Sequence, residues 1–205
     1  KRGVPLRNQA VLVRTNRRLS EIGAELEARD IPVLHLGSLF ERDEVRDLLA
    51  LMNLAVDPFG DALVRVAAMP RYAVPLQDVL LALTALAKAK GPALGRLHKL
   101  PAVEGLSKDA VAGFERLAKD LESVSSRTSS WDFVVTYLFD RTDLGRTLAS
   151  AATVPARMRN VAIWQLLNFL REQPSIGHGP PIQRTLDRVR QLVLLAEERD
   201  LRQVP

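Results

Sequence analysis

Arg14, Thr15 and Asn16 stand where a short apolar run, Gln9-Ala-Val-Leu-Val13, gives way to a helix-like pattern. A guanidinium, a hydroxyl and an amide at such a junction suit a phosphate–sugar backbone. The guanidinium binds phosphate oxygens, the two polar side chains supply hydrogen bonds, and the unsatisfied N–H groups of the helix's first turn attract the anion. The same residues have a plainer use, with Thr15 or Asn16 capping the helix and Arg14 solvated. A second basic set, Lys88, Lys90, Arg96 and Lys99 with His98 among them, has the charge to follow a phosphate strand or to serve as a solvated connector.

Residue types exclude much other chemistry. The 205 residues include no Cys, which removes disulfides, thiolate metal sites and thiol nucleophiles and suits a reducing compartment. There is no G-x-x-x-x-G-K-[ST] phosphate loop, no H-E-x-x-H, no G-x-S-x-G elbow and no G-x-G-x-x-G turn, so no complete active site is legible. His35, His98 and His178 are dispersed and read as structural, with no metal site expected. Glu41, Asp43, Glu44 and Asp47 cluster where a helix begins and offset its dipole. Trp131 and Trp164 fall in apolar helical patterns and are expected in the core, a base-stacking platform being their other use.

The elements that would position Arg14 to Asn16 follow from hydrophobic spacing. Residues 9–14 and Pro32-Val-Leu-His-Leu36 read as buried strands, and Leu19, Ile22 and Leu26 between them as one face of a helix. The expectation is a β-α-β unit with parallel strands and a right-handed crossover. Beyond Gly37 the pattern is helical only. Its stripes are Val45-Leu48-Leu49-Met52-Val56, Val79-Leu83-Leu86, Val111-Phe114-Leu117-Leu121, Val134-Val135-Leu138, Met158-Val161-Trp164-Leu167-Leu170 and Leu186-Val189-Leu192-Val193. The fold class expected is mostly α, a partial α/β unit followed by a bundle of about seven helices. Two strands make too small a sheet to stand alone, so residues 1–38 are expected to belong to a larger α/β domain into which residues 39–205 are inserted. A first residue of Lys1 and not Met fits processing or excision from a longer chain.

Charge and hydropathy add weak constraints. Lys and Arg outnumber Asp and Glu 29 to 24, a formal +5 that mildly attracts phosphate backbones. No apolar stretch approaches the roughly 18 residues of a membrane span, and no charged-then-apolar leader opens the chain, so a soluble cytoplasmic protein without membrane contact is expected.

Ala10-Val-Leu-Val-Arg-Thr-Asn16, Leu26-x-x-x-x-Ile31-Pro32-Val33 and Gly37-x-x-Phe40-Glu41-Arg42-x-Glu44-Val45-x-Asp47 together resemble the carboxyl-terminal helicase region of the UvrD/Rep/PcrA superfamily. Asp57-Pro58 through Met69-Pro70-Arg71 continues the likeness, and Arg157-x-x-Asn160-Val161 is similar to the family's later R-x-x-N-[LV] element. The specific part spans residues 10–71. The resemblance implies that residues 1–38 are a segment of the second RecA-like motor domain, 2A, and residues 39–205 the inserted helical domain, 2B, returning toward 2A at their end.

The match to R-[ST]-N implies that Asn16, with Arg14 and Thr15, meets single-stranded DNA as the motor steps. The parent implied is an ATP-dependent DNA helicase of superfamily 1 acting in DNA repair or recombination. It would use ATP and Mg2+, and this segment would hold neither. DNA, single-stranded or at a duplex junction, and the remainder of the motor are the implied partners. The phosphate loop is expected ahead of Lys1 and T-x-H-x-[SA]-K-G beyond Pro205. One departure stands out: where the family has the duplex-gripping turn P-x-R-G-I-G, this chain reads Pro70-Arg-Tyr-Ala-Val-Pro75, with neither glycine. The alternatives are a non-enzymatic helical module that docks a protein partner and a stand-alone DNA-binding helical protein.

Overall fold

The structure, a computed structural model, describes residues 4–31, 39–88, 91–125, 127–150, 152–173 and 179–202, with the backbone alone at 7, 16, 17, 20, 27 and 196–202. Among the described residues it is helical, and α2, Asp43–Leu54, lies at its centre. Asp43 and Glu44 place negative charge at the positive end of this helix. Val45, Leu48, Leu51, Met52 and Leu54 are buried, covering more than one face, because α2 meets helices on several sides.

Those neighbours are α3 (Leu63–Ala67), α6 (Ser130–Val135), α8 (Val154–Arg171) and α9 (Pro181–Arg202). Arg65 of α3 ties back to α2, its Nε donating to Asp47 Oδ1 at 2.7 Å and a second nitrogen to Asp43 Oδ1 at 3.0 Å. Asp57 ends the chain's run out of α2 by accepting the N–H of Phe59 at 2.8 Å, and Gly60 turns the chain at φ +83°. A second layer holds α4 (Leu76–Ala87), the 3-10 segment Ala93–Ala102 and α5 (Lys108–Asp120). Ser107 caps α5 and donates to Asp78 of α4 at 2.7 Å, which fixes these two helices to each other. α6 runs directly into a π-helical turn, Thr136–Arg141, followed by α7 (Leu144–Ala149), and Ser130 joins α6 to Thr185 of α9 through a buried 2.7 Å hydrogen bond. α1, Asn16–Ala28, lies against α8.

The helices follow the expected spacing, but two readings change. Residues 9–13 form no strand, and Leu12 is 93% exposed where a buried strand was expected. A strand exists only through ladder hydrogen bonds to a neighbour, and none of the described residues supplies one. The second expected strand, 32–36, lies outside the described residues, as do His35 and His178, so the β-α-β unit is not seen. No strand occurs among the described residues beyond 38 either.

The second change concerns the tryptophans. Trp131 is 37% exposed and Trp164 63% exposed, where core positions were expected. The stripe 158-161-164-167-170 advances by three residues at a time, each step falling about 60° short of a turn, so it winds about 240° round the helix and is not one face. The core side of α8 is Ala162, Ile163, Leu166, Leu167 and Leu170.

Candidate nucleic-acid interface

Arg14 and Thr15 are exposed at the entry to α1, and Asn16 is the first residue of the helix. Thr15 is the cap: its Oγ1 accepts the N–H of Arg18 at 3.3 Å, and its carbonyl accepts the N–H of Leu19 at 3.1 Å. Capping uses an acceptor lone pair of the hydroxyl and leaves its proton free to donate outward. The first turn of α1 contains no acidic residue, so the positive end of the helix is not neutralised from within. Arg18 pairs with Glu21 at 2.9 Å, and the Arg14 side chain is exposed at this corner.

The second basic set separates. Lys88 caps the end of α4 and Lys99 lies on the 3-10 segment, both exposed, as is His98. Lys90 lies outside the described residues. Arg96 is not a phosphate contact: it is 8% exposed, and its guanidinium donates to the carbonyls of Leu86, Pro58 and Gly91, the last two at 2.6 Å each. A buried cation needs its donors satisfied, and here backbone carbonyls from the last turn of α4 and from two loops converge on it. Among the described residues no group of three His, Asp or Glu side chains is placed to hold a metal.

The turn after Pro70 is closed on itself. The N–H groups of Tyr72 and Ala73 both donate to the carbonyl of Met69, at 2.9 and 2.8 Å, and that of Val74 to Ala67 at 2.9 Å. None of the three is left for a phosphate. Arg71 is taken as well, bound by both carboxylate oxygens of Asp120 on α5 at 2.5 and 3.0 Å. Tyr72 donates to the same carboxylate at 3.0 Å and meets the hydroxyl of Tyr137 at 3.1 Å, both rings being fully buried. Hydrogen bonding to Asp120 holds the Arg71 guanidinium above its ordinary pKa, and burial pushes both phenols up, Tyr137 to about 12. The spacing of Arg71 and Asp120, 49 residues apart, gave no signal in the sequence.

Ala73 keeps the left-handed backbone, φ +48°, that a glycine would adopt freely. Ala73→Gly is therefore expected to raise stability by about 0.5–1 kcal/mol, the relief of the strained alanine exceeding the extra flexibility given to the unfolded chain. A thermal melt checks it, with an increase as the expected outcome.

Residues 1–77 match the family model of the UvrD-like helicase C-terminal domain, a match that runs through α1, α2, α3 and the closed turn into the start of α4. No curated protein and no solved structure matches the chain.

Proposed function

Since its first 77 residues belong to the UvrD-like helicase C-terminal family, we propose that this chain is part of an ATP-dependent DNA translocase of superfamily 1. In this reading residues 1–38 are a segment of the second motor domain and residues 39–205 the inserted helical domain. Arg14, Thr15 and Asn16 meet the single-stranded DNA. The observation that carries this is the corner itself: an exposed guanidinium, a cap hydroxyl with a free proton and an acid-free helix start, all within the family match. The exposed apolar residues Val11 and Leu12 fit a strand that the rest of the motor would complete. No phosphate loop occurs in the 205 residues, so ATP and Mg2+ are assigned to another part of the motor. The region after Pro70 does not grip duplex, because its N–H groups and its arginine are already bonded.

Two substitutions separate strand contact from capping. In the complete motor Asn16→Ala is expected to weaken single-strand-stimulated ATP hydrolysis by the equivalent of one or two hydrogen bonds, about 1–3 kcal/mol, with melting temperature nearly unchanged. Thr15→Ala removes the cap and is expected to cost about 0.5–2 kcal/mol of folding stability. An Asn16 variant that melts early yet binds DNA normally would refute the contact. Calorimetric titration of the 205-residue chain with ATP and Mg2+ is expected to give no saturable heat, and micromolar binding would refute the assignment of nucleotide to another part.

A further inference from the structure

The outward side of α8 carries a stripe unlike any other helix face among the described residues. Arg157, Val161, Trp164, Asn168 and Arg171 recur at steps of four, three, four and three, so they lie along one side of the helix, opposite Ala162, Ile163, Leu166 and Leu170. Arg157, Val161, Trp164 and Arg171 are exposed. Over its 18 residues α8 has three arginines and no carboxylate, whereas every other helix of 12 residues or more has at least one. Among the described residues Arg157 and Arg159 have no carboxylate partner, and Arg171 bonds only the neutral amide oxygen of Asn168, at 3.3 Å.

The combination selects its ligand. An apolar protein surface laid on Trp164 would also bury uncompensated guanidinium groups, at a desolvation cost it cannot repay. A polyanion with exposed flat rings satisfies both features: phosphates meet the arginines and a base meets the indole. A duplex hides its ring faces in the stack, so a single strand is the better fit. Trp164 lies seven residues from each of Arg157 and Arg171, which puts the two arginines about 21 Å apart along the axis, the length of about six stacked nucleotides.

We propose that the outer face of α8 binds single-stranded nucleic acid, with a base stacked on Trp164 and phosphates held on either side by Arg157 and Arg171. This deepens the functional reading above, on residues outside the family match.

The probe is a fluorescein-labelled twelve-residue oligothymidylate, titrated by anisotropy into the 205-residue chain at low salt. Trp164→Ala is expected to weaken binding about 5- to 100-fold. The double variant Arg157→Ala/Arg171→Ala is expected to weaken it and to reduce the slope of log affinity against log salt by about 1.4. In a Trp131→Phe background, Trp164 fluorescence is expected to be quenched on binding, and the melting temperature of each stripe variant to stay unchanged because the stripe faces solvent. Unchanged affinity in Trp164→Ala, unquenched fluorescence, equal preference for duplex, or stripe variants that instead dissociate a dimer in sedimentation each overturn the inference. If Arg14→Ala and Asn16→Ala weaken binding while the stripe variants do not, this inference fails and the strand contact at residues 14–16 stands. A chain that binds no oligothymidylate also overturns it, and ATP hydrolysis by the complete motor then decides the other reading separately.

Discussion

Asp120→Ala is expected to lower folding stability by about 3–5 kcal/mol, read as the shift in the urea midpoint at unchanged slope. The carboxylate side chain is 6% exposed and accepts from Arg71 twice and from Tyr72 once. Its removal leaves the guanidinium without its partner and a buried phenol with only Tyr137 to bond. Tyr72→Phe removes a single hydroxyl from the same cluster and is expected to cost only about 1 kcal/mol. Equal losses in the two variants would mean that the ion pair contributes nothing. The phenols add a pH signature. Both have a raised pKa in the fold, so their contribution is complete below about 10, the ordinary tyrosine value, and is lost as pH climbs from there toward about 12, where Tyr137 ionises.

Gly113→Ala is expected to cost about 2–3 kcal/mol, against the roughly 1 kcal/mol that alanine ordinarily gains over glycine within a helix. A Cβ at this position of α5 would lie 2.6 Å from Val74 Cγ2 and 2.7 Å from the carbonyl oxygen of Tyr72. The second contact is backbone and cannot rotate away. It belongs to the closed turn, so the turn and α5 would have to separate, weakening the Arg71–Asp120 pair with them. A variant as stable as the parent, or more so, would show that the turn yields easily. The chain thus lacks glycines in the turn itself but has one on the helix the turn presses against.

Legibility in the sequence tracked the range of the interaction concerned. Helices came through because the apolar spacing of Val45, Leu48 and Met52, or of Phe114, Leu117 and Leu121, is local and the periodicity is the cause of burial. The corner at Arg14 to Asn16 was legible as a junction, and the structure assigned its cap to Thr15. The run at residues 9–13 has strand composition but no partner among the described residues, and composition cannot provide one. Trp164 was misplaced because a ladder of i+3 steps drifts round the helix, and Arg96 because charge alone does not reveal that the end of α4 and two loops aim carbonyls at it. Arg71 and Asp120 are joined only by tertiary packing, which no local pattern encodes.

The π-helical turn at Thr136–Arg141 sets a limit on chain length in this part of the molecule. A π turn is what an α-helix becomes when one residue more than the helix requires is accommodated without breaking it. Within this turn Tyr137 faces Tyr72, while the hydroxyl of Thr142 closes the turn on the carbonyl of Tyr137 at 2.7 Å. Deleting one residue here would remove the surplus and restore ordinary α-helix, changing which residue of the turn faces Tyr72. The chain length of this segment is therefore tied to the buried hydroxyl pair of Tyr72 and Tyr137, and through Tyr72 to the closed turn after Pro70.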